Sequence, residues 1–124
     1  MAKIMIVDDD LQAAGLLERV VRMNNHQAIV VNKSIHAMET AHSNEPDLFL
    51  LDLMMPDLNG YELCALLRAD PKFSSTPIIV VSAMEDRESK TRAFTTGANE
   101  YITKPFDIVE LGERIERLLV NGNS

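Results

Sequence analysis

The chain contains a single cysteine, Cys64, among its 124 residues. One thiol cannot form an internal disulfide, and it excludes zinc sites built on cysteine pairs. The absence of disulfides fits a reducing compartment. Basic residues are in deficit: 12 Lys and Arg stand against 19 Asp and Glu, for a net charge of −7. That balance argues against nucleic acid as a direct partner, because phosphate backbones reward clustered Lys and Arg. It is compatible with a divalent cation or a basic protein surface. No apolar run approaches the roughly 18 residues needed to cross a bilayer. The opening stretch to Val7 runs into three aspartates, not a small-residue cleavage site. No membrane partner and no signal peptide are expected, and a cytoplasmic location is. Nucleotide-cradling motifs of the form G-x-x-x-x-G-K-S/T or G-x-G-x-x-G after a strand are also missing.

What is present is the length of one domain, with 46% apolar and 25% charged residues. Such a chain can bury a core without staples. Short apolar runs alternate with amphipathic stretches. Lys3 to Val7 is the first run, and Leu11, Ala14, Leu17 and Val21 then recur at helical spacing, with Asp10 placed as N-cap. Ala28 to Val31 is a second run, followed by a helical stretch through Ile35, Met38 and Ala41 to about Asn44. Leu48 to Met55 is the most hydrophobic segment and carries one charge, Asp52. A turn over Pro56, Asp57, Asn59 and Gly60 precedes a helix marked by Tyr61, Leu63, Cys64, Leu66 and Leu67. Ile78 to Val81 is a continuous β-branched run, residues 85–96 read as a weakly amphipathic helix, and Gly97 is its stop. Glu100 to Thr103 is the fifth run, and Ile108, Leu111, Ile115 and Leu118 mark a last helix. This alternation predicts a parallel sheet covered on both faces, in one domain over residues 1–120. Residues 121–124 read as a disordered tail or the start of a linker. Cys64 is expected in the core, and His26, His36 and His42, which show no metal-ligand spacing, on the surface.

Ligands of open α/β sheets sit at the carboxyl ends of the strands. The first run ends in Asp8-Asp9-Asp10, the third in Asp52, the fourth in Ser82 and the fifth in Thr103-Lys104. The end of the second run shows no such group. Converging carboxylates repel and need a compensating charge. Mg2+, with Mn2+ as an alternative ion, prefers all-oxygen coordination and typically takes one or two carboxylates. A lysine opposite it would leave a cationic cradle for a phosphoryl group, to which a serine hydroxyl could donate.

Four stretches, Ile4–Asp10, Leu50–Gly60, Pro77–Ala83 and Gly97–Phe106, occur in an order and spacing that resembles the receiver domains of two-component response regulators, over essentially the whole chain. The resemblance implies a flavodoxin-like, doubly wound (βα)5 fold with strand order 2-1-3-4-5. It implies that Asp52 accepts a phosphoryl group from a sensor histidine kinase or a histidine phosphotransfer protein. Asp8, Asp9, Asp52 and the Met54 backbone carbonyl would be the Mg2+ ligands, and Lys104 would pair with the phosphoryl group. Ser82 and Tyr101 would form the switch, and the Lys104–Pro105 peptide would be cis. The face built from residues 85–96, 99–103 and 107–119 would then change for a downstream effector or a linked output domain. Receivers are monomers or weak dimers through that face.

An aspartyl-phosphate phosphatase needs a second aspartate two residues after the nucleophile, and that position is Met54. An enzyme acting on external substrates is therefore not expected. A non-phosphorylated pseudo-receiver that only binds partners is the alternative, against which the intact set of Asp8, Asp9, Asp52, Ser82 and Lys104 stands. Met54 and Met84 cannot position water as an amide or carboxylate could, so a long-lived phosphoaspartate is expected.

Overall fold

The structure is a computed structural model, and it describes residues 1–122. Five parallel strands form one sheet: β1 (Lys3–Val7), β2 (Gln27–Val31), β3 (Leu48–Leu51), β4 (Ile78–Ser82) and β5 (Glu100–Thr103), in the order β2-β1-β3-β4-β5. Between and after them run α1 (Leu11–Met23), α2 (Ala37–Asn44), α3 (Gly60–Ala69), α4 (Arg87–Thr96) and α5 (Ile108–Gly122). This is the flavodoxin-like arrangement. A single 3-10 turn, Ser34–His36, precedes α2, so the second helix begins later than its apolar spacing suggests.

Successive side chains of a strand point to opposite faces, so a sheet buried on both sides needs apolar residues of both parities. Met5, Val7, Phe49, Leu51, Ile78 and Val80 pack on one face against Ala41, Leu63, Leu67 and Ala93 of α2, α3 and α4. Ile4, Ile6, Leu48, Leu50, Ile79 and Val81 pack on the other against Leu17, Val21, Leu111 and Ile115 of α1 and α5. Cys64 is buried in the first of these clusters.

Helix starts follow their side chains. The Asp10 carboxylate accepts from the N–H groups of Gln12 and Ala13. Asn59 and Glu62 form a reciprocal capping box that starts α3 at Gly60, and extended Asp86 caps α4 through Ser89 N–H. Gly97 ends α4 at φ +130°, a conformation that L side chains rarely adopt. Arg68 locks that corner. Its half-buried guanidinium donates to the carbonyls of Gly97, Phe73 and Thr76 and to the Asn99 side chain.

Two expectations change. Helix α5 continues to Gly122, beyond residue 120 where the sequence reading places the end of the domain. The remainder of the expected tail, residues 123–124, lies outside the described residues. His26 is not a free surface residue: Nδ1 accepts from the Ala2 N–H at 3.0 Å, and Nε2 lies 2.5 Å from Glu116 of α5. His42 is exposed, but it bonds Asp70 at 2.6 Å and packs edge-on to Phe73. No helix among the described residues is long and apolar enough to cross a membrane.

Candidate functional site

The hydrogen-bond ladder of the sheet runs on past the strand ends. Asp8 N–H donates to Val31 O at 3.1 Å, Asp52 N–H to Val7 O at 3.0 Å, and Lys104 N–H to Ser82 O at 2.8 Å. This extension brings the last residues of β1, β3, β4 and β5 to one edge. The Lys104–Pro105 peptide there is cis.

Asp8 is fully buried, Asp52 is 8% exposed, and Asp9 is exposed to solvent. Carboxylate oxygens of the three lie within 4.8 Å of one another. Asp8 uses both of its oxygens: one accepts from Asp10 N–H at 2.9 Å, the other from Lys104 Nζ at 2.9 Å. Lys104 Nζ stands 3.8 Å from Asp52 Oδ1, which also accepts from Leu53 N–H at 2.9 Å. One ammonium thus serves two carboxylates of the three. Burial pushes the Asp52 carboxyl up to about 6, from an ordinary 3.8; the Lys104 charge opposes this and the Asp8 charge adds to it. A hard cation with oxygen ligands fits this excess of carboxylate.

Ser82 is buried, and its Oγ accepts from Met84 N–H at 3.3 Å. Tyr101 is also buried, and its O–H donates to the Met84 carbonyl at 2.7 Å. Burial raises the Tyr101 phenol above its usual range, with the Ser82 hydroxyl acting in the opposite direction. The β4–α4 connection is therefore held at Met84 by both expected switch residues. The side chain of Met54, two residues after Asp52, is 66% exposed.

Two supporting residues, Asn32 and Ser34, have no role in the sequence reading, and Gly60, read there only as a turn residue, has a packing role as well. Asn32, directly after β2, donates from Nδ2 to the Asp8 carbonyl at 3.0 Å. Ser34 Oγ donates to the Pro56 carbonyl at 3.1 Å. The segment after the second strand thus braces the acidic loop and the loop after Asp52, although it places no group in the cluster. A polar residue ending the run Ala28 to Val31 was the available signal. Gly60 packs so tightly that an added Cβ would lie 2.2 Å from the Asp52 carbonyl oxygen. Only a residue without a side chain lets α3 start against the peptide of Asp52.

Comparison with known proteins agrees with this geometry. The family model described as the response regulator receiver domain matches residues 4–116. The response regulator ArlR of Staphylococcus saprophyticus is 40% identical over 119 residues, covering 96% of this chain and 53% of that protein. The chain spans about half the length of the curated relatives it matches. The receiver domain of the Francisella response regulator 1452 superposes with a TM-score of 0.90 at 30% identity, covering 98% of each chain. The signal receiver domain of a histidine kinase from Syntrophus aciditrophicus superposes with a TM-score of 0.90 at 30% identity, covering 98% of this chain and 92% of that one. With its fold and its strand-end residues in agreement, the chain belongs to the response regulator receiver domain family.

Proposed function

We propose that this receiver is a phosphorylation-operated switch with Asp52 as phosphoacceptor. The observation that carries this reading is the meeting of Lys104, Asp8, Asp9 and Asp52 at one sheet edge. An Asp52 oxygen forms the new P–O bond while the P–N bond to the donor's imidazole breaks. The imidazole leaves and takes up a proton. Transfer of this kind depends on positioning and charge stabilisation. Lys104, already between Asp8 and Asp52, shifts toward the phosphoryl oxygens. Asp8, Asp9, Asp52 and the Met54 carbonyl would hold Mg2+, or Mn2+, which when bound offsets the negative charge gathered there.

Ser82 O–H donates to a phosphoryl oxygen in the phosphorylated state. Its Oγ is bonded to Met84 N–H, and Met84 O to Tyr101, so the hydroxyl's movement is felt in the β4–α4 connection. That biases the α4-β5-α5 face for a partner. The donor is a sensor histidine kinase or a histidine phosphotransfer protein in the cytoplasm. The recipient is an effector protein or a linked output domain, and the chain is a monomer or a weak dimer through the same face. No second acid or base follows Asp52 at Met54, which supports self-dephosphorylation alone over turnover of external phosphoesters. The intact residue set supports this reading over a pseudo-receiver.

Intact mass after incubation with acetyl phosphate and Mg2+ tests it, for the wild type and Asp52→Asn. A gain of roughly 80 Da, one phosphoryl group, is expected in the wild type, dependent on the metal and absent in the variant. No gain, together with amide NMR shifts indifferent to beryllofluoride and Mg2+, would make the pseudo-receiver the better reading.

A further inference from the structure

We propose that the groove between α3 and α4 docks an acidic, apolar-anchored segment of a partner protein. The groove encloses about 550 Å³, a size suited to burying part of a ligand or a few side chains. Leu53, Met55 and Tyr61 are its buried lining, and Met54, Met84 and Arg92 reach toward solvent. Three methionines in so small a groove form an adaptable surface, since unbranched thioether side chains repack around different apolar shapes.

Arg92 sets the sign of the occupant. Its guanidinium carbon lies 3.9 Å from the centroid of the Tyr61 ring. A guanidinium stacked on a ring keeps its in-plane N–H groups available to a carboxylate, which it can take with two parallel hydrogen bonds. No carboxylate of the described residues occupies them. Among the described residues Arg92 forms no ion pair, and it lines the groove, whereas Arg87 and Lys90 of the same helix do not line it. In a chain of net charge −7, the cation that lines this groove is left without a carboxylate partner among the described residues. A carboxylate next to an apolar anchor is the complement of that arrangement.

The groove also touches the candidate site. Met54 follows Asp52 by two residues, and Met84 is bonded to Ser82 and, through its carbonyl, to Tyr101. Tyr61 O–H donates to the Ser89 carbonyl at 3.3 Å, which ties the lining to α4. Displacement of Ser82 or Tyr101 therefore moves one edge of the groove. This coupling to phosphorylation, unlike the docking itself, rests on the function proposed above.

Selection of random dodecapeptides on phage against the whole chain tests the proposal, in the free state and again with beryllofluoride and Mg2+. Enriched peptides are expected to pair aspartate or glutamate with leucine, methionine or phenylalanine. Their Kd is expected to rise about tenfold for Arg92→Glu, the loss of one charge-assisted contact. It is expected to rise also for Met84→Ser, and to stay unchanged for Arg19→Glu on α1. Arg92 is exposed, and an unchanged amide spectrum would show that Arg92→Glu is folded. Failure to enrich any peptide in either state would overturn the proposal. So would enrichment without acidic bias, or binding indifferent to Arg92→Glu. Sedimentation showing a dimer that Arg92→Glu dissolves would assign the groove to a second copy and overturn the partner assigned here. A chain that accepts no beryllofluoride fails the phosphorylation reading alone, since peptides selected on the free state still judge the groove.

Discussion

Replacing Asp52 by asparagine probes the electrostatics of the site through stability, independently of phosphorylation. Burial raises the Asp52 carboxyl from 3.8 to about 6, so the folded protein holds this proton more tightly than the unfolded chain. Stability then falls as pH rises through that interval, because the folded state must either keep a proton or bury a charge. Above both values the cost is about 3 kcal/mol, from 1.36 kcal/mol for each tenfold change in proton affinity. Asparagine has nearly the same shape and no charge, and it leaves the 2.9 Å contact of Lys104 with Asp8 in place. Metal-free Asp52→Asn is therefore expected to be about 2–3 kcal/mol more stable than wild type at pH 8, or about 10 °C in Tm. The difference should shrink toward zero near pH 4, where Asp52 is protonated in the folded protein. Added Mg2+ should narrow the gap at pH 8, since it binds the ionised wild-type site more strongly. Urea unfolding with EDTA between pH 4 and pH 8 measures this directly. A variant less stable than wild type at pH 8, or a gap that does not change with pH, would refute the reasoning.

Two further outcomes follow from single positions. Gly60→Ala places a methyl group 2.2 Å from the Asp52 carbonyl oxygen, so urea unfolding should show a loss of about 1–3 kcal/mol and phosphorylation by acetyl phosphate should slow. A variant matching wild type in both would contradict the close packing of α3 on the phosphoacceptor loop. Met54→Asp supplies a carboxylate two residues from Asp52 that can orient water, and it should shorten the phosphoaspartate lifetime by about tenfold or more. The mass-detected phosphoryl adduct, followed after removal of acetyl phosphate, gives both lifetimes; wild-type decay within seconds would defeat the argument.

Much of the architecture was legible in the amino-acid order alone. Runs such as Leu48 to Leu51 and Ile78 to Val81 have no polar face, and only burial on both sides of a sheet satisfies them. Asp10 and Gly97 announced a helix start and a helix stop through chemistry confined to neighbouring residues. The charged and hydroxyl residues at the run ends marked the site, because parallel strands all point their carboxyl ends to one edge.

Distances and burial were decided by the tertiary structure. Asp8 and Asp9 are chemically identical neighbours, yet one is fully buried with both oxygens used and the other faces solvent. Their alternation depends on where the chain leaves the sheet. Lys104 meets Asp8 across 96 positions, and His26 meets Glu116 across 90, contacts that no local spacing encodes. Asn32 acquires its role only because β2 lies beside β1, and Arg92 only because α4 settles over Tyr61. Sequence periodicity specifies which face of an element is apolar, since that depends on residues a few places apart. The neighbour that each polar side chain finds, and the desolvation it suffers there, depend on how distant elements pack.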